Sequence, residues 1–316
     1  MSNLKKPYIH KHGTIACSIV ETTPLVFKGR LYRFEYFRGH PWNIWTERKR
    51  SYFRLIDVQT GAPTAPFGWD YTMGYAYAEE DYVYAWGIAP TSAPGGWGGD
   101  TIQGWRSSDL THWEEYGQLH LPGWTIYNTG VCKKDGVYTL LFECGAPAEE
   151  VGPHPFTFRF AQSTDLKNWT LTPTECAFQR DRYAGGPAIY TLPGDPNYYV
   201  LYLEAYKADN KYGVEYRNCI ARGTDLIHWE YSPINPVLDF EPEIDRQIAN
   251  PYLTPAMQEL IMKADNINVS DLELCEFNGR TIMYYSWGNQ HGTEFLAEAS
   301  CNMPMADFLH SFFEEV

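Results

Sequence analysis

Five carboxylates stand where strand ends could bring them together: Glu21, Glu143, Glu204, Asp271 and Glu273. Glu143 and Glu204 each close an apolar, tyrosine-bearing run, 137–142 and 198–203. Asp271 and Glu273 are two residues apart at the start of another such run, so an extended chain points both to one side. Glu21 precedes Thr22-Thr23-Pro24 at the entrance to the first. Two carboxyl groups facing one cavity can divide the cleavage of a glycosidic bond, one protonating the leaving oxygen and the other activating water or attacking carbon. Crowding pushes their pKa values apart and raises the one that serves as acid. Glu21, Asp271, Glu143 and Glu204 are therefore the catalytic candidates, with Glu273 beside the substrate.

The elements that must position these groups are legible as a repeat. Ser108-Asp109-Leu110-Thr111-His112-Trp113 recurs as 164–169 and 224–229, with Asp109, Asp165 and Asp225 in the same place. Such an Asp caps a turn and such a Trp wedges between layers, so the motif reads as architecture. Ahead of each copy lies an apolar strand, a turn and a Tyr-rich strand. Hairpins of this kind occupy 24–35, 74–86, 130–143, 187–204 and 272–287, and the turns include Asp135-Gly136 and Asn278-Gly279. Five hairpins, each followed by further strands about 50–60 residues per unit, predict an all-β, five-bladed propeller with four-stranded blades. Thr254-Pro255 opens a short helix over 256–263, an insertion before the last blade. No linker interrupts the pattern, and residues 1–316 read as one domain.

Composition narrows the partners. Aromatic residues make up 16% of the 316 positions, which suits both pleated sheet and the stacking of sugar faces. A net charge of −14 repels phosphate backbones and argues against nucleic acid. The seven cysteines show no C-x-x-C pair and no zinc spacing, and they read as small buried residues in a reducing compartment. No apolar run reaches membrane length and the N-terminus lacks an apolar leader core, so a cytoplasmic protein is expected. No cofactor is called for, although the acid-lined channel could hold a structural calcium. The acidic run 239–245 lacks the spacing of a calcium loop and reads as solvated.

In a propeller one rim of the central channel is built from the loops joining second to third strands. Here those loops carry His40, Trp42, Trp97, Trp287, Asn289, Gln290 and His291, the candidates for holding sugar hydroxyls and ring faces.

The Ser/Thr-x-Asp-Leu-x-x-Trp repeats behind Tyr-rich hairpins resemble the five-bladed propeller glycoside hydrolases of families 43, 32, 68, 117 and 130, over roughly residues 20–300. In family 43 the resemblance implies catalytic carboxylates opening the first strands of blades one, three and four. This chain departs from all three, with Thr23-Pro24, Asn128 and Gly185-Gly186-Pro187 in those places. Asn128 is kept as a substrate-binding candidate. The resemblance implies inversion, and a funnel-shaped pocket implies exo-action on an oligosaccharide. A non-catalytic sugar-binding propeller and a phosphorylase using Arg38, Arg182 or Arg217 are the alternatives.

Overall fold

A computed structural model describes residues 4–38, 51–90 and 98–314. In chain order the strands are β1 (His10–Cys17), β2 (Ile19–Val20), β3 (Pro24–Phe27), β4 (Arg30–Phe37) and β5 (Tyr52–Asp57). Next come β6 (Thr72–Ala78), β7 (Val83–Ile88), β8 (Thr101–Ser107) and β9 (Glu114–His120). They are followed by β10 (Thr125–Lys134), β11 (Val137–Ala146), β12 (Thr157–Ser163) and β13 (Thr170–Leu171). The last are β14 (Gly185–Thr191), β15 (Tyr198–Lys207), β16 (Val214–Gly223), β17 (Glu230–Tyr231), β18 (Asn268–Phe277), β19 (Arg280–Gly288) and β20 (Glu294–Cys301). Helices are few and short: α1 (Ala148–Val151), α2 (Pro242–Asp245), α3 (Pro255–Lys263) and α4 (Met305–His310). None is long and apolar enough to cross a membrane.

The two-residue turns do what their sequences require. Lys28-Gly29, Asp135-Gly136 and Asn278-Gly279 all have positive φ at both positions, the left-handed pair that matches the twist of flanking strands. The hairpins β3–β4, β6–β7, β10–β11, β14–β15 and β18–β19 fall where the sequence places them. Four-stranded meanders follow as β6-β7-β8-β9 and β10-β11-β12-β13. The largest sheet divides at one parallel bridge, Tyr216 to Asn268, into β14-β15-β16-β17 and β18-β19-β20-β1. The inner strands touch in sequence, β3 against β6, then β10, β14 and β18, and β18 returns to β3. Helix α3 is the predicted insertion, and Thr254 caps it by accepting the Met257 N–H at 3.3 Å.

The repeated motif is the turn between third and fourth strands. Asp109, Asp165 and Asp225 each accept two backbone N–H groups, as with His112 N at 2.8 Å, while Leu110, Leu166 and Leu226 sit buried at positive φ. Each Trp packs on the preceding unit. Trp113 stacks on Phe67 at 3.7 Å, Trp169 meets Trp86 at 6.2 Å, and Trp229 stacks on Phe160 at 5.9 Å.

One closure was not legible in the sequence. The N-terminal strand β1 pairs with β20 and completes the final meander. It is held by Asp245, which is fully buried and accepts hydrogen bonds from Lys11, Asn266 and Tyr285 at 3.0, 2.8 and 2.7 Å. This corrects the reading of 239–245 as a solvated loop, because its last residue anchors two distant strands. A buried carboxylate is tolerated there because a cation and neutral donors satisfy it.

Candidate active site

All the inner strands share one irregularity. Thr72 and Tyr75 pair with Ile88 and Trp86, so β6 spends one residue more than its partner, and the same bulge recurs at 126–129, 185–188 and 270–273. Glu21 lies in the matching interval between β2 and β3. The first bulged residue is left-handed at Glu21, Met73, Gly186 and Asp271, with φ of 53°, 51°, 52° and 50°. A bulge re-aims its side chain, and non-glycine residues held at positive φ collect at functional sites. Here the bulges turn Glu21 and Asp271 into a common space.

That space is a cavity of about 250 Å³. Its acid lining is Glu21, Glu143, Asp271 and Glu294, its one cation among the described residues is Arg38, and its aromatic wall includes Tyr183 and Tyr216. Glu143 accepts the Gly186 N–H at 2.8 Å and Asn128 Nδ2 at 3.3 Å. Asp271 accepts from the Ser270 hydroxyl at 2.9 Å and packs so tightly on Gly186 that a Cβ there would lie 2.7 Å from its Oδ1. Arg38 donates to the Ser18 carbonyl at 3.0 Å and faces Glu294 at 3.5 Å, and its buried Nη2 has no partner among the described residues.

Burial sets the charge states. It lifts Glu143 to about 8, against the hydrogen bonds from Gly186 and Asn128. It lifts Asp271 to about 6, reinforced by the Glu294 charge and opposed by Ser270 and Arg38. Glu21 is pushed well above the usual carboxyl range by burial and then by the Asp271 charge. Glu273, also raised by burial, lies on a small void at the floor of the cavity.

The structure thus brings together Glu21, Glu143, Asp271, Asn128 and Gln290, with Glu273 just beyond them. Other sequence candidates lie elsewhere. Glu204 binds the Tyr202 hydroxyl at 3.0 Å and Arg182 at 3.5 Å and is absent from the cavity wall. The reason is register: Phe142 faces Thr129 and Leu201 faces Ala188, so Tyr202 rather than Glu204 is the counterpart of Glu143. Trp287 is a core residue, stacked on Phe295 at 4.6 Å with its indole N–H given to Thr14. Asn289 ties its own loop by accepting His291 N at 2.8 Å, and His291 stacks on Tyr212 at 5.1 Å. Neither lines the cavity. Arg182 and Arg217 pair with Asp181 and Asp239, outside it. His40, Trp42 and Trp97 lie outside the described residues. Sequence reasoning missed Glu294, Tyr183 and Tyr216 as wall residues, and only strand ends in the right register would have marked them. Among the described residues no group of three or more His, Cys, Asp or Glu side chains is arranged to hold a metal ion.

No protein-family model matches the chain, and no curated protein matches its sequence. Solved structures do match. A complex of BT0996 with RGII superposes with a TM-score of 0.63 at 14% identity, over 94% of this chain and 92% of that one. The α-L-arabinofuranosidase Arb93A of Fusarium graminearum, in complex with an iminosugar inhibitor, gives 0.58 at 11% identity over 93% and 98%. The GH43B of a Bacteroides ovatus xyloglucan locus gives 0.55 at 12% identity, over 92% of this chain and 54% of that longer one. At such identities what is shared is the fold, and the chain has the propeller fold on which glycoside hydrolases of this kind are built.

Proposed function

We propose that the protein is a glycoside hydrolase on a single five-bladed propeller domain, removing a terminal sugar with inversion. The observation that carries this reading is the meeting of Glu143 and Asp271 over Gly186 in one acid-lined cavity. Their environments separate them as an acid–base pair needs to be separated. With its pKa near 6, Asp271 is ionised at neutral pH and takes a proton from the attacking water. With its pKa near 8, Glu143 still holds a proton and gives it to the leaving oxygen. Glu21, neutral beside them, offers its carboxyl proton to Asp271 and steadies that charge. The ring of inner-strand contacts supports the count of five blades. A volume of about 250 Å³, below the roughly 300 Å³ at which drug-sized pockets begin, suits one terminal sugar and hence exo-action. The free cysteines suit a reducing, cytoplasmic setting.

Arg38 favours a second reading. Its unpaired guanidinium nitrogen in the cavity could take phosphate in place of water, as a phosphorylase requires. The test is a screen of aryl glycosides and oligosaccharides with and without phosphate, running Glu143→Gln and Asp271→Asn beside wild type. Turnover lost in both folded variants supports the hydrolase. Turnover only with phosphate selects the phosphorylase, and binding without turnover in all three selects a non-catalytic sugar-binding propeller.

A further inference from the structure

Four buried oxygen atoms beneath the cavity have no hydrogen-bond partner among the described residues: Oε2 of Glu21, Oδ1 of Asn128, Oγ1 of Thr129 and Oε2 of Glu273. All four residues border a single void of about 10 Å³. Glu21 and Asn128 also border the cavity above, whereas Thr129 and Glu273 face the void alone. On the far side stand Tyr75 and Tyr190, both within electrostatic reach of Glu273. Tyr75 donates its hydroxyl to the Val131 carbonyl, and the Tyr190 hydroxyl accepts the Leu274 N–H. These two tyrosines line the larger hollow at the opposite mouth of the channel, so Glu273 is the deepest carboxyl on the acid side.

Buried polar atoms are nearly always paired, and four orphans on residues that border one space call for an occupant. A volume of about 10–15 Å³ is one water's worth. Two of the four atoms belong to carboxyl groups and a third is an amide carbonyl, so the occupant must supply protons. Water has two to give, and it can accept from the Thr129 hydroxyl and from a carboxylic acid proton. We infer that the void holds one water and that Glu273, neutral, donates to it. The water in turn donates to Glu21 Oε2, which makes Glu273 a positioning residue for Glu21. With one oxygen pinned from below, Glu21 is left to direct its own O–H at Asp271. The water does not depend on the proposed function, but its effect on rate does.

The test pairs a high-resolution crystal structure of the wild-type protein with kinetics of Glu273→Leu and Glu273→Gln. The expected structure shows one ordered peak within hydrogen-bond distance of all four oxygens. In Glu273→Leu the acidic limb of the pH–rate profile should move up by about one pH unit, a tenfold loss of rate below the limb, with KM unchanged. Glu273→Gln, which can still donate, should restore the wild-type profile. Should the leucine variant fail to fold, Thr129→Val removes another partner of the water at nearly constant volume and should shift the limb in the same direction. An empty void, a cation in it, or an unmoved limb overturns the inference. If no glycoside is turned over, the proposed function fails, and the occupancy of the void still decides this inference by itself.

Discussion

The Glu143 side chain accepts the backbone N–H of Gly186 at 2.8 Å, a bond between the second strand of one meander and the inner strand of the next. The same glycine leaves room for Asp271, whose Oδ1 occupies the place a Cβ would need. Three separate units therefore meet at a residue with no side chain.

Gly186→Ala should break this meeting. The new Cβ would lie 2.7 Å from Asp271 Oδ1, and the backbone there has φ of 52°. Expected outcomes are loss of turnover and a stability decrease of about 1–3 kcal/mol, measured by denaturant unfolding. Unchanged turnover would mean that the juxtaposition of Glu143 and Asp271 is not what the chemistry uses.

Glu143→Gln and Asp271→Asn should each lower kcat by about 10²–10⁴-fold without unfolding the protein. Wild-type kcat/KM should rise with pH through about 6 as Asp271 ionises and fall through about 8 as Glu143 loses its proton. The glutamine variant should lose the alkaline limb and the asparagine variant the acidic one, in whatever activity remains.

The same carboxyl should destabilise the fold as pH rises. Burial holds Glu143 protonated up to about 8 against an ordinary value of 4.5, so the folded state binds more protons than the unfolded one between these limits. Its stabilising contribution is complete below 4.5 and is lost as pH rises through about 8. Glu143→Gln should melt with wild type near pH 4 and above it at pH 8. The expected gain is about 1.5 °C per kcal/mol in a chain of this size. Equal melting temperatures at both pH values would show that the carboxyl is not held neutral.

Asp245→Ala should open the ring at its closure. Removing this buried carboxylate leaves Lys11 with the Asp239 carbonyl and the half-exposed Glu241 carboxylate, and leaves the Tyr285 hydroxyl without its acceptor. A loss of about 3–5 kcal/mol is expected, read by thermal or urea denaturation. A change below about 1 kcal/mol would assign the closure to the β1–β20 ladder rather than to the anchor.

Local chemistry determined much of this architecture before any tertiary contact. Asn-Gly and Asp-Gly dictate two-residue turns, an Asp two residues ahead of free N–H groups makes a cap, and Thr-Pro starts a helix. Turns, repeats and α3 were therefore readable residue by residue, and Glu21, Glu143 and Asp271 were readable as carboxylates near one end of their hairpins, although Glu143 and Asp271 lie within β11 and β18 rather than at their ends. Register was not readable, because one extra residue in a bulge changes which side chain faces the channel. Glu204 and Glu143 end similar runs, but only the ladder shows that they occupy different rungs. Closure by β1 and burial of Asp245 join residues 234 apart in the chain, and no local pattern records such a contact. Whether a carboxylate is solvated or held neutral depends on what surrounds it. That is a property of the assembled cavity, and the tertiary structure alone decides it.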